Sequence, residues 1–454
     1  MNEVLKKWYD SNSDKVVGLA KHIWENPEAS EEEFDACRTM SAYLRENGFE
    51  VETYHFKDSS KEPDTIIASF GSGHPVIGIM GEYDALPGLG QEAVPYYSPK
   101  PGYGHGCGHA LMTPAAASAA IALKSAMIEE GIPGTVKFFA TPAEEVMLGK
   151  ICMFRDGAFD GLDCCMSWHP MQQDMVPSEE VLLAMSKLYV EFKGIPAHSA
   201  ANPENGRSAL DAAELMNIGV QYLREHVTDD VRIHYAYDFG GGNPNTVPAY
   251  ASINYMVRAR RLADVNNVIE RIEKIAKGAS IMTETSYRIT NLATACETFN
   301  VAALNEFCYQ SSTKIPPIEW EEEDIEYANT LYKSINGKEP EGQVLFGNVS
   351  RPTGMPKYKS ASTDSGYISR AVPTCRFYGL GIINGCPLHH WGAVSSVGSS
   401  IGQKSVVYSS KIMAQCLYDI IRNPEEIEKW KEDLTELTKG TDNYKPIVTE
   451  FVKW

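Results

Sequence analysis

The chain has 454 residues, a formal charge of −19 at pH 7, and a composition that is 43% hydrophobic and 22% charged. A single hydrophobic core stops growing at about 250–300 residues, so a chain of this length is expected to form two domains. The negative charge argues against nucleic acid or an anionic membrane surface as a partner, since both require positive potential.

The distribution of cysteines and apolar residues predicts a cytoplasmic protein. Ten cysteines are spread irregularly along the chain, which is typical of reduced thiols and not of a disulfide framework. The first residues lack the apolar core of a signal peptide. No stretch of eighteen apolar residues predicts a transmembrane helix. We therefore expect neither a membrane nor a nucleic acid as a partner.

Helical and β-prone segments alternate over the first part of the chain. Apolar spacing predicts helices over residues 8–47, with a break at Pro27. The alanine-rich segment 113–127 is apolar on all sides and predicts a buried helix. Short strands are predicted at 51–56, 65–70, 75–80, 135–140, 163–168 and 374–380. This alternation is typical of an α/β sheet.

The character of the sequence changes near Leu183. Strands and amphipathic helices then alternate at 185–192, 208–226, 250–258 and 265–277. This order predicts an inserted α+β domain. Residues 319–334 and the tail after Asn423 are charged and predict surface helices.

Chemically active side chains follow the ends of the predicted strands. They are Asp84, Glu144 with Glu145, His169 and His389. Open α/β sheets bind their ligands at the carboxyl edge, so we expect these groups to meet there. Cys107 and His109, in the glycine-rich loop 104–109, add a thiolate and an imidazole. Such donors suit zinc, and manganese where carboxylate and water dominate.

Adjacent carboxylates such as Glu144 and Glu145 raise each other's pKa when buried, unless a cation compensates. With a metal present, Glu145 can bind it while Glu144 acts as a general base. The alternative is a pair at a helix N-terminus, stabilised by the helix dipole. His169 and the adjacent His389 and His390 have a structural alternative as ordinary core or turn histidines.

Taken together, the side chains offer enough ligands for two metal ions that share a bridging group. The candidate ligands are Cys107, His109, Glu145, His169 and His389. Glu145, Cys107 or a water could form the bridge, with Cys107 as the protein candidate. Spacing does not resolve whether His389 or His390 binds.

Six motifs occur in an order that resembles one enzyme family. They lie at 81–88, 106–109, 142–145, 168–170, 194–199 and 387–389. In this order they are similar to the motif set of the aminoacylase/carboxypeptidase-G superfamily of metallo-amidohydrolases, in particular its amidohydrolase branch. The likeness extends over nearly the whole chain.

The resemblance implies a fold and a division into domains. A catalytic domain with a mixed sheet flanked by helices is expected at 1–183 and 300–454. An inserted α+β, ferredoxin-like domain at 184–299 is expected to act as a lid and to mediate dimerisation. The family pattern therefore agrees with the change of sequence character near Leu183.

The resemblance also implies a role for each matching residue. It implies that Cys107, His109, Glu145, His169 and His389 are metal ligands. It implies that Glu144 is the base that activates the bridging water, and that Asp84 orients a ligand from behind. His198 matches a lid histidine that reaches the active site of the other protomer and stabilises the oxyanion of the tetrahedral intermediate.

Two further lid positions resemble residues that bind the carboxylate of the substrate. These are Asn245 and Arg258, and the bidentate fork of arginine suits that task. Without the resemblance, they would be a turn asparagine and a surface arginine at a strand end. Peptidase relatives carry a His-x-Asp motif where this chain has Glu82 before Asp84, and we interpret this difference as a mark of the amidohydrolase branch.

We therefore expect a hydrolase with two Zn²⁺ or Mn²⁺ ions that cleaves the amide bond of N-acyl amino acids with a free carboxylate. Aroyl-glutamates, other N-acyl amino acids and unusual dipeptides all fit this description. We expect a homodimer formed through the lid, with a heteromer as the other possibility. The alternatives are a metallo-dipeptidase, or one half of a two-component hydrolase with a mainly assembly role.

Overall fold

The structure, a computed structural model, describes residues 1–58 and 60–449. The chain divides into two compact units. The first comprises Met1–Glu180, Phe299–Lys357 and Ile368–Thr438. The second comprises Val181–Thr298, Tyr358–Tyr367 and the residues from Lys439 onwards. The catalytic and lid functions that the sequence analysis gives to its two domains stay predictions.

The helices of the described residues, in chain order, are as follows. They are α1 (Glu3–Glu25), α2 (Phe34–Glu46), α3 (His109–Glu130), α4 (Gly149–Arg155), α5 (Ala209–Leu223), α6 (Leu262–Thr283), α7 (Ala302–Ser312), α8 (Glu322–Asn336), α9 (Gly366–Ala371), α10 (Trp391–Gly398), α11 (Ser400–Arg422) and α12 (Glu425–Leu437). The helical segment predicted over residues 8–47 is thus two helices, α1 and α2, with the predicted break between them.

The strands follow the same numbering. They are β1 (Glu50–Tyr54), β2 (Thr65–Ser72), β3 (Val76–Glu82), β4 (Leu86–Pro87), β5 (Tyr103–Gly104), β6 (Gly134–Thr141), β7 (Cys164–Met171), β8 (Val176–Pro177), β9 (Glu180–Val181), β10 (Ala184–Lys193), β11 (Arg232–Phe239), β12 (Tyr250–Ala259), β13 (Ser286–Ala295), β14 (Lys357–Tyr358), β15 (Thr374–Gly381) and β16 (Ile447–Val448). Every strand predicted from the sequence is present, with ends shifted by one to three residues.

A seven-stranded mixed sheet forms the centre of the first unit. Its strand order is β1-β2-β6-β3-β7-β15-β8. The four strands β6, β3, β7 and β15 are parallel, and the pairs at the two margins are antiparallel. This confirms the predicted mixed α/β sheet flanked by helices. The carboxyl ends of the four parallel strands lie along one edge, where open sheets bind their ligands.

The apolar helix α3 packs against β3, α1 and α11 inside the core of the first unit. Its most apolar window is 83% buried, as in the core helix of a globular domain. Small side chains allow the close approach: a Cβ on Gly81 would lie 2.6 Å from Thr113 Cα. Glycine at this point therefore brings the end of β3 against the start of α3.

The second unit is built on the order β10, α5, β11, β12, α6, β13. These strands form an antiparallel sheet in the order β11-β12-β10-β13, to which β16 adds at the β13 edge. Strand order and chain order together are those of a ferredoxin-like fold, as the resemblance implied. The pattern analysis was incomplete here, because it predicted β10 and β12 but neither β11 nor β13.

The two missing strands have a physical explanation. β11 is an edge strand whose side chains are exposed at every position except the buried Ile233. β13 is only partly buried until its last three residues. Neither strand therefore shows the contrast between a buried and a solvated face that makes a strand visible in a sequence.

Candidate functional site

The loop that carries Cys107 and His109 leads directly into the buried helix α3. Gly108, the residue before the helix, has φ 87°. A Cβ at this position would lie 2.9 Å from the ring of Pro170 in β7. Glycine is therefore required by the left-handed backbone and by the lack of space. The tight turn holds Cys107 and His109 against β7, which also carries His169.

All the sequence-predicted ligands of the first unit come together at the carboxyl edge of the sheet. Three sets of ligand atoms lie within 4.8 Å of one another: Cys107 with His109 and His169, Cys107 with Glu145 and His389, and Glu82 with His109 and Glu144. Cys107 Sγ lies 3.4 Å from His169 Nε2, and His389 Nε2 lies 3.4 Å from Glu145 Oε2. The arrangement offers thiol, imidazole and carboxylate donors to one small volume, and their role as ligands stays a prediction.

Asp84 lies behind this cluster and connects two of its members. Its Oδ1 is 2.8 Å from His109 Nδ1, and its Oδ2 accepts hydrogen bonds from Ser30 Oγ at 2.8 Å and from the Glu145 backbone N–H at 2.9 Å. Burial alone would raise the pKa of Asp84, but the His109 imidazole and these hydrogen bonds lower that pKa to about 2. Asp84 is therefore ionised, and it fixes the ring of His109 so that Nε2 faces the cluster.

Glu144 and Glu145 lie in a tight turn after β6. The next helix, α4, begins only at Gly149, so the alternative of a helix N-terminus is wrong. Ala143 has φ 57°, and its backbone N–H donates to Oε1 of the fully buried Glu33 at 2.6 Å. Glu33 thus supports the turn from 110 residues away, and nothing in the sequence pointed to it.

The adjacent histidines after β15 have different surroundings. His389 adopts φ 55°, donates its backbone N–H to Gly106 O at 2.9 Å, and points its Nε2 toward Glu145. His390 is the N-cap of α10, where its Nδ1 accepts a hydrogen bond from the Gly392 N–H at 3.1 Å. The geometry therefore favours His389 over His390 as the metal ligand.

Burial changes the acidity of the sulfur and of one imidazole in the cluster. It raises the pKa of the Cys107 thiol to about 12 and lowers the pKa of His169 to about 4. At neutral pH, His169 is consequently neutral, with a nitrogen lone pair available to a ligand. The Cys107 thiol needs an adjacent cation in order to ionise.

Two buried charged residues beside the cluster were not assigned a role from the sequence. Glu82, the last residue of β3, places its Oε1 2.8 Å from Nζ of Lys150, whose side chain is 1% exposed. Glu82 had the same signal as Glu145, a carboxylate at the end of a buried strand. Lys150 had none, since a lysine on a short helix is normally a surface residue.

The remaining predicted residues belong to the second unit. His198 is exposed, and its Nδ1 accepts hydrogen bonds from the backbone N–H groups of Ala200 and Ala201. The His198 and Asn245 loops adjoin, because Ser199 N donates to Asn245 O at 3.0 Å. Arg258 lies elsewhere in this unit, at the end of β12, with one guanidinium nitrogen 3.3 Å from Ser362 Oγ. The catalytic and carboxylate-binding roles of these residues stay predictions.

Comparison with known proteins places this architecture in a family. A sequence model of peptidase family M20/M25/M40 matches residues 78–391, which is more than half of the chain. The chain belongs to this family. The match includes the Cys107 loop, the acidic turn and His389, so the resemblance inferred from the motifs is confirmed.

Relatives within the M20/M25/M40 family are hydrolases of amide bonds. The chain is 32% identical to a p-aminobenzoyl-glutamate hydrolase component of Escherichia coli K12, over 96% of this chain and 95% of the relative. It is 26% identical to the human Xaa-Arg dipeptidase, over 93% of this chain and 89% of the relative. The prediction of an amide-cleaving hydrolase is thereby confirmed.

Solved structures of the same fold support the architecture. An aminohydrolase structure from methicillin-resistant Staphylococcus aureus has a TM-score of 0.67 at 20% identity and covers 93% of this chain and 100% of its own. The aminobenzoyl-glutamate utilization protein of Klebsiella pneumoniae has a TM-score of 0.62 at 17% identity and covers 91% of this chain and 98% of its own. At these identities the likeness concerns the fold.

Proposed function

We propose that this M20-family chain is a dinuclear metal-dependent amidohydrolase that releases an amino acid with a free carboxylate from its N-acyl derivative. Aroyl-glutamates of the p-aminobenzoyl-glutamate kind are the leading substrate class. The observation that carries the proposal is the convergence of Cys107, His109, Glu145, His169 and His389 next to Glu144. Supporting it, the 32% identical relative is named for hydrolysis of p-aminobenzoyl-glutamate.

The donor atoms of the cluster fit a divalent cation. Among the described residues, Glu82 Oε2, His109 Nε2 and Glu145 Oε1 are buried without a hydrogen-bond partner. Each such atom costs about 1–3 kcal/mol of folding free energy. A bound cation would offset this cost. Zn²⁺ suits the thiolate and imidazole donors, and Mn²⁺ suits the carboxylates.

The residues of this chain divide the chemistry of amide hydrolysis among them. When bound, the divalent ions supply Lewis-acid polarisation of the amide carbonyl. The Glu144 carboxylate takes a proton from the attacking water and delivers it to the leaving nitrogen. His198 stabilises the developing oxyanion. Asn245 and Arg258 bind the carboxylate of the amino acid that is released.

The test is metal analysis combined with a substrate panel. We expect about two Zn²⁺ or Mn²⁺ ions per purified chain, with hydrolysis lost on chelation and regained when metal returns. The panel contains p-aminobenzoyl-glutamate, other N-acyl amino acids, Xaa-Arg dipeptides and the matching carboxamides, which lack the free carboxylate. The carboxamides should be cleaved much more slowly. A metal-replete chain that cleaves no member of the panel would contradict the proposal.

Two relatives favour specific alternatives that the same panel separates. The likeness to an Xaa-Arg dipeptidase supports a second candidate, a metallo-dipeptidase, which would prefer the dipeptides in the panel. The chain is also 28% identical, over 48% of its length, to the other p-aminobenzoyl-glutamate hydrolase component of Escherichia coli K12. A heteromer is therefore a further candidate, and it predicts hydrolysis only after a partner chain is added.

We infer that the second unit forms a homodimer through the face that contains β11. This edge strand exposes Tyr235, Tyr237 and Phe239, with exposed fractions of 38–44%. Helix α5 exposes Ile218 and Tyr222 at 53% and 75%. Exposed apolar side chains beside an unpaired strand edge are typical of a surface that a second copy covers.

Disrupting this face should produce monomers. We expect Tyr222→Glu combined with Tyr237→Glu to halve the mass measured by light scattering, because burying two carboxylates in an apolar interface is costly. The control is Ile281→Glu, which adds a charge at a 68% exposed site on α6. A double variant that keeps the mass of the unmodified protein would exclude this surface as the interface.

We also propose a cytoplasmic location. All ten cysteines lie among the described residues, where they are buried and none forms a disulfide. Reduced thiols of this kind are typical of the cytoplasm.

A further inference from the structure

The strand that leads to Asp84 ends in a carboxylate that the proposed function leaves unused. Glu82 is 7% exposed, so its side chain has left water almost completely. One oxygen, Oε1, is bound by Lys150 Nζ at 2.8 Å. The other, Oε2, is buried and makes no hydrogen bond within the described part of the chain. Lys150 therefore fixes the carboxylate so that Oε2 faces the cluster.

The atom that Glu82 Oε2 faces is a predicted metal-binding atom. It lies 3.2 Å from His109 Nε2, and Nε2 is likewise buried without a hydrogen-bond partner. Two donors that bind one ion at about 2.1 Å are separated by about 3.0–3.4 Å when their angle is about 90–109°. The observed distance lies in that range. Glu144 completes the set of donor atoms within 4.8 Å.

A simple ion pair between Glu82 and His109 explains this geometry less well. His109 already uses Nδ1 to contact Asp84, which is ionised. In an ion pair, Nε2–H would donate to Oε2, yet the two atoms do not meet the geometry of a hydrogen bond. Two buried atoms that face each other and remain unsatisfied indicate that a third group belongs between them.

We propose that Glu82 is a further ligand of the metal ion bound by His109, and that Lys150 holds Glu82 in position. The proposal rests on the metal-dependent function proposed above and adds a ligand to it. Carboxylate oxygens from Glu82 then surround this ion more than thiolate sulfur does. That donor set favours Mn²⁺ at the His109 position, while Cys107, His169 and His389 favour Zn²⁺.

The test is calorimetric titration of the metal-free chain with Mn²⁺ and with Zn²⁺, so that the readout is binding and not activity. For Glu82→Gln we expect one of the two ions to bind at least about tenfold more weakly, the scale seen for residues that support a metal site. The second ion should bind as before. The matched control is Asp324→Asn, which removes another buried carboxylate bonded to a lysine, Lys404, at a position far along the chain from the cluster.

A second variant guards against misfolding. Glu82→Gln removes the carboxylate that faces the buried Lys150 ammonium, so the double variant Glu82→Gln, Lys150→Met removes both charges together. It should show the same loss of one ion. Unchanged affinities for both ions in either folded variant would overturn the proposal for Glu82. Failure of the unmodified chain to bind any divalent ion would instead overturn the proposed function itself.

Discussion

Replacing Glu144 with glutamine should reduce kcat by about 10³-fold, within the roughly 10²- to 10⁴-fold contribution typical of general acid–base catalysis. The amide keeps the size of the side chain but cannot accept a proton from water. Since Glu145 is expected to bind the metal in place of Glu144, the metal content should stay at the level of the unmodified chain. Steady-state kinetics and elemental analysis of the same sample measure both quantities.

The neighbouring residue supplies the contrast. Glu145→Gln makes the same chemical change one position later, but its side chain lies 3.4 Å from His389 Nε2 and its backbone is held by Asp84. We expect this variant to lose bound metal together with activity. If Glu144→Gln turns over substrate at the normal rate, Glu144 is not the base.

The second large effect concerns the sulfur of the cluster. Cys107→Ser should weaken metal binding by more than about 100-fold, since the loss of a ligand exceeds the roughly 10- to 100-fold effect of residues that only support ligands. The serine hydroxyl does not ionise at neutral pH and so offers no anionic donor. Activity should fall with metal content and return in part when excess metal is added. Elemental analysis after gel filtration and kinetics across a metal titration provide the measurements.

A second buried cysteine serves as the control for that substitution. Cys37 is 2% exposed, and its thiol contacts the backbone oxygen of Thr65 at 3.8 Å, far along the chain from the cluster residues. Cys37→Ser makes the same atomic change in a core position and should keep both metal and activity. Equal metal content in Cys107→Ser and Cys37→Ser would show that the Cys107 thiolate is not a ligand.

Local sequence patterns predicted much of this protein. Each strand of the central sheet that carries chemistry has a buried apolar core, so the ends of β3, β6 and β15 were visible in the sequence. His169 was expected just after its strand and lies within β7. Because parallel strands end at one edge, the motif residues at their ends could be expected to meet. Family membership followed from their order.

The sequence did not determine contacts between segments that are distant along the chain. The support of the acidic turn by Glu33 spans 110 residues, and the approach of Lys150 to Glu82 depends on how α4 packs against β3. The choice between His389 and His390 also required the structure, because one backbone torsion at His389 directs the two rings to different neighbours. A sequence specifies which donors are present and at which strand ends, through local periodicity. Only tertiary packing decides which atoms face one another, since that depends on loop conformations and side-chain contacts with no local pattern.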